Sequence, residues 1–310
     1  MFTTLRKNSI IYLLLIIVIV LAGVMPASAA GAKNTQKSFA TAEEAVKSLV
    51  EAVRNSDLKE LAAILGPDSK DIISSGDPAA DMTGRELFLK QYDEKNSIEG
   101  ADSGKAVLII GKDNYPFPIP AVKKGNVWRF DAKAGKEELL NRRIGRNELE
   151  VIDVMHAYVD AQREYASKDR NDDKVMEFAQ KIKSSPGNKD GLYWEAKEGE
   201  EESPLGPLAA NAARDGYTKK QTALYGYYYK ILKAQGKDAE GGAFDYLVNG
   251  KMVLGFAMVA YPAKYGASGI MTFIVNQNGV VYQKNLGKNS ARIASSMKLF
   301  NPDSSWKKVE

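Results

Sequence analysis

The chain has 310 residues, 43 basic against 39 acidic, for a formal net charge of +4, with 44% hydrophobic and 26% charged residues. This is globular composition with length for about two domains, and the charge is too nearly balanced for a nucleic-acid footprint. Zero Cys and one His exclude disulfides, thiol catalysis, thiolate zinc sites and any site taking two histidines from one chain.

Residues 1–30 read as an export signal. Arg6 and Lys7 form a basic n-region, residues 10–23 an uncharged Leu/Ile/Val-rich stretch, and Ala27-Ser28-Ala29 an A-x-A cleavage site, with Ala29 or Ala30 the last residue removed. The rival reading is an uncleaved membrane anchor. Against it, the apolar run falls short of the about 20 residues a span requires, and Pro26 interrupts it. Lipidation at the signal is excluded for want of a Cys. The mature protein is then expected in the periplasm or secreted, near-neutral and stabilised by packing alone.

Residues 31–38 are polar and read as a flexible lead-in. Thr41 and Glu44 form a capping box for a helix carrying Ala45, Leu49, Ala52 and Val53. Ser56 or Asp57 opens a second helix that Gly66-Pro67 stops, and a third is expected over 85–95. The period then changes to strands at 106–110, a Pro-broken edge at 116–122, and 127–130 across the turn Lys124-Gly125-Asn126. Residues 39–143 therefore read as a first α+β domain.

A linking helix is expected over 134–146. Asn147 with Glu150 three residues on reads as a new cap, opening the longest helix, to about Ser167, in a second domain over 147–310. Leu149, Ile152, Met155 and Val159 form one apolar stripe; Val151, Val154, Tyr158, Ala161 and Tyr165 form another. A stripe this wide calls for cover by a sheet. Residues 184–216 read as a long surface loop with a short helix near 208–213. Strands follow in the tyrosine-rich 225–232, at 252–261 and at 270–275. The last enters a hairpin at Asn276-Gln277-Asn278-Gly279. The expected architecture is two α+β domains, each with helices on one face of an antiparallel sheet.

No phosphate-binding glycine loop, zinc-protease helix motif or serine-hydrolase elbow occurs. Asp169, Asn171, Asp173 and Glu177 match positions 1, 3, 5 and 9 of a calcium loop. Lys174 stands where the turn glycine belongs and Gln180 where the bidentate Glu belongs, so calcium binding is expected to be weak, about 10⁻⁴–10⁻³ M. The bland alternative is an Asx-rich turn ending the helix. Tyr228 is the tyrosine of its strand expected to face outward, as a ligand platform. His156 shares a helix face with Asp153 and Asp160, and solvated pairing is the favoured reading over a metal or base role.

Several blocks together carry a resemblance: FATAEEAVKSLVEAV (39–53), SSGDP (74–78), YPFPIP (115–120), LNRRIGRNELE (140–150), YVDAQREYA (158–166), SPLGPL (203–208) and MTFIVNQNGVVYQKNLG (271–287). The set resembles a bacterial family of exported proteins classed as domain of unknown function 2950, across nearly the whole mature chain. The family supplies no established activity. Its members usually carry D-x-(D/N)-G-D-G where this chain has residues 169–174, and Lys174 departs from that pattern. Residues 147–287 are also similar in element order to the globular part of pilin-like proteins, and the first half to a cystatin-like cone. The signal segment, the absent catalytic motifs and the near-neutral charge point to a non-enzymatic envelope module that binds a protein or other ligand and no nucleic acid. It meets the membrane only through an uncleaved signal. The alternative is a carboxylate-dependent hydrolase acting on an envelope polymer.

Overall fold

The computed structural model describes residues 36–73, 78–214 and 223–309. The export signal, residues 31–35 and most of the SSGDP block lie outside the described residues. Helix α1 (Ala42–Arg54) starts at Thr41, whose Oγ1 accepts from Glu44 N at 3.1 Å. Glu44 reaches back to Ala40 N at 3.0 Å, one residue beyond the expected Thr41 amide. Helix α2 (Leu58–Leu65) is capped by Asp57, which accepts from Glu60 N. It stops at Gly66, whose φ of +86° suits a glycine. Gln36, read from sequence as part of a flexible lead-in, is docked. Its Nε2 donates to Ile64 O and Leu65 O at the end of α2 and to Phe130 O at 2.7 Å.

Short α3 (Lys70–Ile73) and α4 (Pro78–Glu94) follow, α4 starting a turn or more before the expected 85. Strand β1 (Asn96–Glu99) pairs antiparallel with β2 (Lys105–Ile110). It was not expected, because its residues are mostly polar and exposed. Strands β3 (Tyr115–Pro116) and β4 (Ala121–Lys124) both pair with β2, and β5 (Val127–Phe130) pairs with β4. Pro116, Pro118 and Pro120 remove alternate amide donors, which splits β3 from β4. Leu49, Ile64, Leu108, Trp128 and Phe130 are buried together as one hydrophobic cluster.

The break expected at residue 147 does not exist. A single helix, α5 (Ala132–Tyr165), runs 34 residues from an Asp131 cap that accepts from Ala134 N at 3.0 Å. At about 1.5 Å per residue it is roughly 50 Å long. Its first turn packs on the first cluster so closely that a Cβ on Gly135 would lie 2.7 Å from Ile119 Cγ1. Its second half buries Val151, Met155, Tyr158, Val159, Ala161 and Tyr165 in a second cluster. Leu149, assigned to an apolar stripe, is instead 67% exposed. Glu148 turns to the backbone at 270–271, and its chain neighbour points about 100° away.

After α6 (Gly206–Arg214) come β6 (Tyr227–Leu232), β7 (Ala234–Gln235), β8 (Phe244–Asp245), β9 (Leu247–Val248), β10 (Lys251–Met252), β11 (Ala257–Pro262), β12 (Thr272–Asn276) and β13 (Tyr282–Lys284). The chain ends with α7 (Ser290–Ser296), β14 (Leu299–Phe300) and β15 (Lys307–Lys308). One antiparallel sheet has the order β15-β13-β12-β11-β6, and a small one β14-β7-β8, in which β14 runs parallel to β7. The run expected at 252–261 is therefore two strands. β9 and β10 form a tight hairpin over Asn249-Gly250, both at positive φ (51° and 80°), as a two-residue turn of the primed type requires. Helix α5 covers β11 and β12, and Tyr158 Oη donates to Ala257 O at 3.1 Å. The fold is mixed α and β, with sheets that are antiparallel apart from that one pairing.

Candidate functional site

The C-terminal end of α5 organises the most elaborate polar cluster among the described residues. A helix end presents carbonyls without intrahelical partners and a partial negative charge. Arg170 answers both: its chain folds back so that Nε donates to Tyr165 O at 3.2 Å. The guanidinium is 7% exposed and lies 4.9 Å from the Tyr165 ring centre and 5.1 Å from that of Trp194. Trp194 Nε1 in turn donates to Glu201 O. The Glu201 carboxylate receives Lys168 Nζ at 2.7 Å, Lys189 Nζ at 3.1 Å and Arg170 Nη1 at 3.3 Å. Three cations around one carboxylate hold its pKa down to about 2, with the Lys168 hydrogen bond the largest cause.

Segment 178–180 makes the facing wall. Gln162, fully buried on α5, brackets Ala179. Its Oε1 accepts from Ala179 N and its Nε2 donates to Ala179 O, both at 2.8 Å. Phe178 bridges to Met252 and its ring lies 4.8 Å from that of Phe256. Between these walls lies a cleft of about 560 Å³. Five of its lining residues are cationic, Lys168, Arg170, Lys181, Lys189 and Lys233, against the carboxylates of Glu177 and Asp190. Asp190 is itself paired with Lys181 and accepts from Ser185 N, which holds its pKa near 2. Lys233 Nζ donates to Gln180 Oε1 at 2.8 Å. The cleft is thus positive, with Glu201 behind it.

The Asp169 loop borders this cleft through Asn171 and Glu177. Its oxygens are already engaged. Asp169 accepts from the amides of Asn171 and Lys174, and Asp173 accepts from Val175 N and pairs with Lys251 of β10. Backbone amides lower the Asp169 pKa, and Lys251 lowers that of Asp173. Asn171 Nδ2 donates to Glu177 Oε1 at 3.1 Å. Lys174 takes the positive φ (68°) that a glycine would hold more easily. Gln180 turns to Gly250 O. Arg170, inside this loop, turns away to Glu201, and Lys251 supplies the loop's cation. Among the described residues no three acidic or histidine side chains group as a metal ligand set.

Tyr228 is half-buried on β6, opposite Tyr261 of β11 with ring centres 5.8 Å apart, and does not line the cleft. His156, Asp153 and Asp160 are exposed on α5, and Asp160 pairs with Arg163. The residues that sequence reasoning missed are Trp194, Glu201, Lys189 and Lys233. The one signal for them in the sequence is Trp194, a large aromatic inside a polar loop.

The depressed Glu201 pKa fixes a sign. A carboxyl near 4.5 in the unfolded chain and near 2 in the fold adds stability above the upper value, and that stability is lost as pH falls toward the lower. The melting temperature is therefore expected to fall between about pH 4.5 and 2. Glu201→Gln should flatten that fall when melting is followed by circular dichroism; an unchanged profile would show that the cations do not favour the ionised form.

No curated protein and no solved structure matches the chain. A family model described as "Protein of unknown function (DUF2950)" matches residues 36–309, from the Gln36 latch to the last strand and its neighbour. A match over most of the chain, spanning both hydrophobic clusters and the cleft, places this protein in the DUF2950 family.

Proposed function

We propose that the protein is an exported module of the bacterial envelope that binds an anionic group in the cleft at the end of α5 without turning it over. The observation that carries the reading is the excess of cationic over carboxylate side chains around a cleft of ligand size. We place residues 39–143 and 147–310 as two α+β domains sharing α5, the first cone-like as in cystatins and the second like the globular part of pilins. Export through the signal at residues 1–30 puts the cleft in the periplasm or outside the cell. Tyr228 belongs to this proposal as a secondary platform beside Tyr261.

The alternative, a carboxylate-dependent hydrolase, requires a carboxyl that stays protonated near neutral pH. Among the described residues the carboxyls shifted by the fold, Glu94, Asp169, Asp173, Asp190, Glu201 and Asp303, all shift downward. That favours binding. The test is calorimetric titration with an oligogalacturonate and with a neutral oligosaccharide of equal length. Saturable, salt-weakened binding of the acidic chain alone is expected, lost in a Lys189→Ala, Lys233→Ala double variant. Equal binding of both chains, or of neither, would sink the reading, and release of reducing ends would support the hydrolase.

Calcium at Asp169, Asn171, Asp173 and Glu177 stays part of the proposal only as a weak ligand, because Lys251 already occupies the cationic place beside Asp173. With Lys251 in place the constant is expected at the weak end, about 10⁻³ M, so wild type should gain only about 1 °C in melting temperature from 1 mM calcium. Lys251→Ala should gain more than wild type by the same scan, and equal gains would remove Lys251 from the account.

A further inference from the structure

The first hydrophobic cluster is not closed. A second opening of about 330 Å³ lies between α1, α2, α3, α4, the proline-rich crossing and the first half of α5. Eleven of its thirteen lining residues have apolar side chains, which makes it a hydrocarbon surface rather than a water channel. Its floor is core: Leu49 and Ile119 are 2% exposed and Leu61 is 4%. Interiors pack to crystal density, so apolar space of this size beside buried leucines is space for a guest. Gly84 of α4 lines the opening, and a Cβ added there would meet no atom within 4 Å.

Among the described residues the only charged one lining it is Arg85. Its Nη1 donates to Ile73 O at 3.3 Å, which pins the guanidinium against the last residue of α3 instead of letting it extend into solvent. A hydrocarbon slot with one fixed cation matches one class of guest, a single alkyl chain ending in an anion. A guanidinium fork suits a carboxylate in particular. We propose that this groove binds a medium-chain fatty carboxylate, with the chain along Leu49, Leu61, Phe88 and Ile119 and the head at Arg85. This site lies in the other hydrophobic cluster and does not rest on the cleft at the end of α5.

The test uses decanoate and decanol, kept below self-association, in calorimetric or fluorescence-displacement titration of the full chain. Saturable one-to-one binding of decanoate is expected. Arg85→Gln should weaken decanoate about tenfold and leave decanol unchanged, a difference a purely steric role would not produce. Gly84→Phe fills the groove from a helical position with open space, so it should abolish both ligands without lowering the melting temperature. No saturable decanoate binding by wild type, undiminished binding in Gly84→Phe, or uptake by anionic vesicles in place of monomeric decanoate would each overturn the proposal.

Discussion

Gln162→Leu is expected to lower the melting temperature by about 6–12 °C. Leucine nearly matches glutamine in volume, so the cost is electrostatic. The substitution strips Ala179 N and Ala179 O of their partners inside a fully buried environment and removes the donor to Tyr158 Oη. Each orphaned buried group costs about 1–3 kcal/mol, and two give about 3 kcal/mol. For a cooperative unit of this size, 1 kcal/mol is about 2–4 °C. Amide exchange at Ala179 should accelerate in parallel. A shift under about 2 °C, with exchange unchanged, would mean that water replaces the glutamine and that segment 178–180 is not fixed by it.

Glu148→Ala should cost a similar amount, about 3 kcal/mol, by unpinning the turn before β12. Glu148 Oε1 accepts from Ile270 N at 2.7 Å and Met271 N at 2.9 Å and lies 3.3 Å from Tyr227 Oη. Asn147 Nδ2 donates to Ser268 O alongside. The turn comes so near the phenol that a Cβ on Gly269 would sit 2.0 Å from Tyr227 Oη. Burial first, and then the Glu148 charge, push the Tyr227 phenol above the usual tyrosine range. Spectrophotometric titration therefore distinguishes causes: in Glu148→Ala one late-titrating tyrosine should move down, whereas Glu148→Gln should keep most of the stability through its carbonyl oxygen. Loss of stability with an unmoved tyrosine would show that Tyr227 owes its shift to burial alone.

What could be read from the chain was local. Thr41 with Glu44, Asp57 before Leu58, and the turn before Val127 are contacts within a few residues, and the structure has helix starts and a strand pairing there. Asn147-x-x-Glu150 has the same local form, yet it lies inside α5, where Asn147 and its neighbour Glu148 serve a turn 121–123 residues away. Gly145 does not break the helix either, since tertiary packing outweighs the about 1 kcal/mol that glycine costs there. Asn249-Gly250, between Leu247-Val248 and Lys251-Met252, is a legible hairpin turn of the same kind as Asn276–Gly279. The cleft was beyond reach for another reason. Glu201 sits in an acidic run of the loop and its partners 12 to 33 residues upstream, so neither half signals the other. Trp194 organises them only once the loop is folded.

The continuity of α5 also makes angular phase a property of the molecule. Each residue of an α-helix advances the direction of a side chain by about 100°, so Gly135 against Ile119 and Gln162 against Ala179 are bearings on one rotating shaft. A single residue inserted near Gly145, where the helix surface is open, would leave every local preference intact and still turn the two bearings out of alignment by more than a quarter revolution. Seven residues, about two turns, would nearly restore the phase and lengthen the shaft by about 10 Å. The groove at Arg85 and the cleft at Arg170 are tied to the same shaft, so their mutual orientation is set by a residue count.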